Sequence, residues 1–125
     1  MPAEIHLTKA EKALSAAKLL LDASDSDGAC DRAYFAILQA AQAASIKAGD
    51  RVPTIAINSP VGLVSNLALS ILIPEHLVET FGGTLQTVEA LRMTADYGGA
   101  SLAIDEAHWA FEQATVFVST IRMLT

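Results

Sequence analysis

The sequence lacks the residues that mark several common classes of protein. It has one cysteine, Cys30, which excludes a disulfide or a cysteine metal cluster within the chain, and we expect a buried, inert thiol. Lysine and arginine total eight against fourteen acidic residues, so the net charge is -6. That balance argues against a broad nucleic-acid surface but allows a small basic site.

Long apolar runs are also missing. The longest ones are too short to span a bilayer. The N-terminal stretch, "MPAEIHLTKAEKAL", is charged and amphipathic, unlike the basic tip and apolar run of a signal peptide. The sequence therefore favours a cytoplasmic protein of prokaryotic type, with no membrane partner.

Alanine and leucine, the strongest helix formers, dominate the composition, while aromatic residues are scarce. Valine, isoleucine, threonine and tyrosine form no alternating runs. The chain has the usual length of one domain, residues 1–125, and is long enough to bury a core without disulfides. We predict an all-α fold.

Apolar residues recur at three- and four-residue steps along most of the chain. The predicted segments are a helix at 3–23, a turn at 24–28, a helix at 29–48, a connector at 49–60, a short helix at 60–71, a helix at 74–97 and a last helix at 103–123. Gly82 and Gly83 predict a kink or break in the fourth helix. Short connections favour an up-and-down antiparallel four-helix bundle with an extra short helix, about five helices in all.

The stretch "CDRAYFAILQAAQAA", residues 30–44, carries two polar side chains in an apolar helix. Seven residues separate Arg32 from Gln39, so on a helix they project within about 20° of each other and lie roughly 10 Å apart along the axis. A phosphodiester, or a group from a second subunit, fits between them. The alternative is a structural arginine that pairs with Asp31, Asp96 or an acidic residue of a partner chain.

Two motifs resemble the HEPN domains, a family of helical nucleotide-binding and ribonuclease domains. The second helix of small prokaryotic members reads like "RAYYAxFHAAQALL", and this chain has "RAYFAILQAAQAAS" from Arg32 to Ser45. Their fourth helix ends in a stretch like "RxxADYG", and this chain has "RMTADYG" from Arg92 to Gly98. The resemblance spans almost the whole chain and is weakest at about 50–73.

The resemblance implies a homodimer that forms through the arginine-bearing second helix. In active members an Arg-x4-6-His motif from each subunit lines a shared cleft, where RNA is cut without a metal. Such members often act as toxins of toxin–antitoxin pairs beside a minimal nucleotidyltransferase. Other members have lost catalysis and bind nucleotides or partners.

This chain departs from the family at Gln39, which stands where the family has histidine. An amide donates and accepts hydrogen bonds but transfers no proton near neutral pH. We therefore expect weak or no ribonuclease activity, with Arg32, Tyr34, Gln39, Asp96 and Tyr97 as candidate ligand-binding residues and Arg32 and Gln39 as the remains of the catalytic pair. For Tyr34 and Phe35, packing in the core or interface is the alternative to a role in binding.

The three histidines, His6, His76 and His108, all lie outside the second helix. All three are candidates for a replacement base. His108, near Asp105 and Glu106 on the last helix, is the one weighed further, although an exposed surface histidine is the simpler interpretation. The three show no zinc-ligand spacing, so no metal and no other cofactor is expected.

Three functions remain open on the sequence. The first is a dimeric HEPN protein that binds RNA, a nucleotide or a nucleotidyltransferase partner. The second is a structural or assembly module without a ligand. The third is an active, metal-independent endoribonuclease toxin.

Overall fold

The computed structural model describes residues 2–48 and 75–124, which form four helices. The helices are α1 (Pro2–Asp22), α2 (Ser26–Ala48), α3 (Glu75–Tyr97) and α4 (Ile104–Leu124). The predicted all-α class is confirmed. The predicted connector at 49–60 and short helix at 60–71 lie outside the described residues.

Contacts between the helices define an up-and-down arrangement. His6 near the start of α1 meets Gln39 of α2, so these two helices are antiparallel. Arg122 at the end of α4 binds Glu4 and Glu11 of α1, so α4 also runs against α1. Since α2 packs against all three other helices and most extensively against α1, it is the central element.

The core follows from the apolar stripes of the four helices. Alanines of α2 are fully buried along its length and permit close approach of the neighbouring helices. Phe81 of α3 and Phe117 of α4 meet edge to face, with ring centroids 5.2 Å apart. None of the helices in the described ranges combines the length and the apolarity needed to cross a membrane.

The turn between α1 and α2 is shorter than the sequence predicts, and α2 begins at Ser26 instead of residue 29. Ser24 adopts a left-handed conformation with φ of 62°, and its backbone N–H and that of Asp25 close a Schellman motif on Leu21 and Leu20. Asp25 then caps α2, because its Oδ1 accepts the N–H of Gly28 at 2.9 Å.

Ser26 and Asp27 belong to the first turn of α2 because they bind the segment that leads into α4. Ser26 Oγ donates to the carbonyl of Leu102 at 2.7 Å, and Asp27 Oδ1 accepts the N–H of Leu102 at 2.8 Å. These long-range bonds are invisible in the local composition, which predicts a turn.

Helix α3 continues through Gly82 and Gly83, so of the predicted kink or break the break is wrong. Phe81, Leu85 and Val88 flank or follow the glycines at helical spacing and are all buried. Burying these three side chains offsets the glycine cost, about 1 kcal/mol each. The helix ends at Tyr97 as predicted, where Gly98 lies so close to Thr94 that an added Cβ would meet its carbonyl oxygen at 2.5 Å.

Candidate ligand-binding site

Arg32 lies in the second turn of α2 with its side chain half-buried. Its guanidinium carbon lies 4.6 Å from the centroid of the Phe35 ring, one turn further along, in a cation–π contact. Within the described residues Arg32 makes no ion pair, so its predicted pairing with Asp31 or Asp96 is not found. Stacking orients the guanidinium plane and leaves its N–H donors for another group.

A groove of about 280 Å³ runs between α1 and α2 beside this arginine. Its lining residues are Lys9, Lys12, Ala13 and Ala16 of α1 with Arg32 and Phe35 of α2. Three cations thus converge on one groove of an acidic chain. We call it the basic groove; it suits an anion, because the charges lie on both of its walls.

Gln39 is only 8% exposed, and its amide contacts a histidine of the neighbouring helix. His6 Nδ1 lies 2.7 Å from Gln39 Oε1. Because an amide oxygen only accepts, the His6 Nδ1 carries the proton and, in the neutral ring, Nε2 is left as the basic nitrogen. His6 stands one turn before Lys9, and Gln39 one turn after Phe35, so the pair extends the basic groove at one end.

Sequence reasoning named His6 only as one of three candidate histidines and missed Lys9 and Lys12, although the packing of α1 on α2 gave a partial signal. In an antiparallel pair of helices, residues equally far from the turn lie opposite each other. His6 lies 18 residues before Ser24 and Gln39 lies 15 residues after it, so this rule places the two within about one helical turn of each other. His108, the candidate base considered on the sequence, is exposed in the first turns of α4 as expected, and the side chain of His76 lies outside the described residues.

Tyr34 and Asp96 belong to a second cluster, between α2 and α3. The Tyr34 hydroxyl donates to Glu89 Oε2 at 3.3 Å, and the Arg92 guanidinium carbon lies 4.6 Å from the Tyr34 ring centroid. Arg92 in turn binds Asp96 at 2.9 Å. Burial, followed by the Glu89 carboxylate, raises the pKa of Tyr34. The cluster joins α2 to α3 and gives the motif "RMTADYG" a structural role.

The five candidate residues therefore do not form one site. Arg32 and Gln39 of α2 face α1, and Tyr34 of α2 faces α3. Asp96 lies on α3, where it binds Arg92, and Tyr97 is 75% exposed at the end of α3. Asp31 lies between the two clusters, where burial and then the nearby Asp96 carboxylate raise its pKa. The negative charge of Asp31, next to Arg32 in the sequence, reduces the positive potential at that end of the basic groove.

The single thiol has no part in this site. Cys30 is fully buried, and burial raises its pKa to about 12. The prediction that this cysteine is buried is confirmed, and its raised pKa agrees with the prediction of an inert thiol. In the two described ranges, no three histidine, cysteine or acidic side chains are grouped so that they could hold a metal ion.

A larger, apolar groove of about 450 Å³ lies between α1 and α4 and is lined by Leu14, Leu19 and Phe111 among others. Its polar residues, Ser15, Lys18 and Thr115, are each already bonded within their own helix, to Glu11, Asp22 and Phe111, and so are less available to orient a ligand. The basic groove therefore fits the sequence motifs better despite its smaller volume.

Comparison with protein families gives one match. The family model of the HEPN domain matches residues 3–124, nearly the whole chain. No curated protein matches the chain at a significant level.

Proposed function

Because this chain belongs to the HEPN domain family, we propose that it binds RNA or a nucleotide through Arg32 and cleaves RNA weakly or not at all. The observation that carries the proposal is the set of contacts that Arg32 makes and its place in the basic groove. Arg32 makes no ion pair within the described residues, stacks on Phe35, and lies in a groove with two further cations. A guanidinium held in this way presents a planar fork of donors to a phosphate.

Gln39 supports the second half of the proposal. The amide is buried against His6 and transfers no proton near neutral pH. Loss of a general acid–base group typically costs about 10²- to 10⁴-fold in rate. Binding depends on Arg32 and survives that loss.

The proposal is tested by binding and cleavage assays on mixed single-stranded RNA in EDTA. We expect wild type to bind without measurable cutting, Arg32→Ala to lose binding, and Lys18→Ala to bind like wild type. Lys18 is a suitable control because it lies on α1 outside the basic groove and pairs with Asp22. Arg32→Lys separates charge from fork geometry, and circular dichroism melts verify that each variant folds. Absence of RNA and nucleotide binding by wild type would leave the structural or assembly module as the function.

A second candidate, the metal-independent endoribonuclease of a toxin–antitoxin pair, is favoured by one contact. Gln39 holds His6 with Nδ1 protonated, which presents Nε2 of the neutral ring as a base at one end of the basic groove. Wild-type cleavage that is abolished by both His6→Ala and Arg32→Ala would establish this candidate. If Gln39→His is the only protein that cleaves RNA, the cleft has kept its geometry and lacks only the catalytic histidine.

A homodimer through α2 belongs to the same proposal. The face of α2 away from the core keeps a half-exposed apolar strip, formed by Phe35 and Leu38 with Ile46 near its end. Two copies that joined through this strip would bring two arginines near one interface. A minimal nucleotidyltransferase is the proposed protein partner, and co-purification of the two chains tests it.

A further inference from the structure

We propose that the ligand is a single strand of RNA, and that Lys9 and Lys12 of α1 hold its phosphates together with Arg32 of α2. The inference rests on the proposed function and deepens it, because it assigns the opposite wall of the basic groove and a class of ligand. Neither lysine belongs to the arginine motif of α2.

In the described part of the chain four cations make no ion pair: Lys9, Lys12 and Arg32, which line the basic groove together, and Lys47 near the end of α2, which is not among its lining residues. Elsewhere in the described residues, Lys18 pairs with Asp22 and Arg92 with Asp96. Glu11, the sequence neighbour of Lys12, is held by Arg122 on α4. Lys9, Lys12 and Arg32 make no ion pair within the described part of the chain, so the basic groove keeps its positive charge while the rest of the chain is acidic.

The shape of the basic groove favours a strand over a free nucleotide. Its volume of about 280 Å³ lies just below the roughly 300–1,000 Å³ of pockets that enclose small ligands. Ala13 and Ala16 give it a shallow floor, and the Phe35 ring already carries the Arg32 guanidinium. An open groove with cations on both walls is the form that tracks a nucleic-acid backbone.

The direction of the strand follows from the antiparallel helices. Arg32 and Gln39 are roughly 10 Å apart along the axis of α2. Lys9 and Lys12 lie between the two ends on α1, one turn apart on the same side of the helix. A strand that enters at Arg32 therefore passes both lysines before it reaches the His6–Gln39 pair.

The lining predicts little sequence preference. The only polar side chains in the lining are the three cations, which the proposal assigns to phosphates, and contacts to phosphates carry no sequence information. We expect mixed and uniform sequences to bind with similar affinity.

The test measures fluorescence anisotropy of a labelled RNA strand of about 12 nucleotides with full-length protein in EDTA over a range of salt concentrations. Lys9→Ala and Lys12→Ala are expected to weaken binding several-fold, and each to reduce the slope of log affinity against log salt by about 0.7. Lys18→Ala, on the same helix, should change neither quantity. Uridine monophosphate and triphosphate should compete far more weakly than unlabelled strand.

The outcomes separate this inference from the proposed function. If Arg32→Ala loses binding while both lysine variants bind like wild type, Arg32 binds its ligand but the assignment of α1 is wrong. The assignment of an RNA strand as the ligand is also wrong if the nucleotides compete as well as RNA does, or if polyglutamate competes as well as RNA does. Absence of all RNA and nucleotide binding by wild type would overturn both proposals together.

Discussion

Asp31 and Arg32 carry opposite charges at neighbouring positions, yet they face different surroundings. Asp31 lies toward α3, where burial and then the Asp96 carboxylate raise its pKa, while Arg32 lies toward α1 and the basic groove. A carboxyl with a raised pKa favours folding below its unfolded value of about 3.9, and that contribution is lost as the pH rises through the folded value. At neutral pH the ionised Asp31 is therefore unfavourable for stability.

Asp31→Asn should raise the melting temperature slightly at pH 7 and leave it unchanged at pH 3, because at pH 3 the wild-type carboxyl is largely protonated. The same change should strengthen RNA binding, since it removes a negative charge beside Arg32. Thermal melts at both pH values and RNA anisotropy measure the two effects. Asp22→Asn is the matched control, and a lower melting temperature for Asp31→Asn at pH 7 would contradict the argument.

The contact between His6 and Gln39 is also testable at the level of single residues. His6→Ala leaves a buried amide without its described partner, so we expect a loss of about 1–2 kcal/mol in unfolding free energy. In a double-mutant cycle with Gln39→Leu, the coupling should be about 0.5–1.5 kcal/mol by urea denaturation. Additive effects within about 0.5 kcal/mol would mean that the hydrogen bond contributes nothing.

At the scale of elements, the α1–α2 turn positions both walls of the basic groove. Ser24 occupies the left-handed position of its Schellman motif, which glycine fills at less steric cost. The register of this turn sets His6 opposite Gln39. A change of one residue in its length would rotate one wall of the groove relative to the other by about 100°.

Ser24→Gly should stabilise the protein by about 0.5–1 kcal/mol, because relief of left-handed strain exceeds the added chain entropy. Ser15→Gly, in the middle of α1, is the control and should destabilise by a few tenths of a kcal/mol up to about 1 kcal/mol, because glycine is a weaker helix former than serine. Urea denaturation compares the two variants. Equal signs for the two changes would show that Ser24 is not strained in solution.

Periodicity and composition were enough to predict α1, α4 and the end of α3, since each is set by local residues. The start of α2 was wrong by about one turn, because Ser26 and Asp27 bind Leu102 more than seventy residues away. The break at Gly82 was wrong because buried neighbours outweighed intrinsic propensity. Arg32 and Gln39 followed from helical spacing, but His6, Lys9 and Lys12 required knowledge of how α1 packs on α2.

At the scale of the whole molecule, the acidic surface and the basic groove make an uneven distribution of charge. An acidic chain repels RNA at long range, so binding should be confined to the groove. Binding should weaken as salt rises, because the phosphate contacts in the groove release counterions from the RNA. The two apolar surface regions, the strip on α2 and the groove between α1 and α4, are also separate from each other. The strip on α2 adjoins the basic groove at Phe35, whereas the apolar groove between α1 and α4 is lined by other residues, Leu19 among them.

The proposed dimer predicts different outcomes for two leucines. Leu38→Glu places a charge in the α2 strip and should weaken dimerisation about tenfold or more by sedimentation equilibrium. Leu19→Glu, at a side chain that is 69% exposed in the other groove, should leave the dimer intact. A wild-type protein that stays monomeric at high concentration would remove the basis of this prediction.

Because Cys30 is buried, the rate at which a thiol reagent labels it reports on opening of the whole bundle. A thiol reagent needs an accessible thiolate, and Cys30 in the closed fold is neither exposed nor easily ionised, with a pKa of about 12. When the fold recloses faster than the reagent reacts, the labelling rate in native buffer reports the population in which α2 is exposed, without any introduced tag or denaturant. RNA that binds only the closed fold must slow this labelling by the same factor by which it lowers the population of the open form.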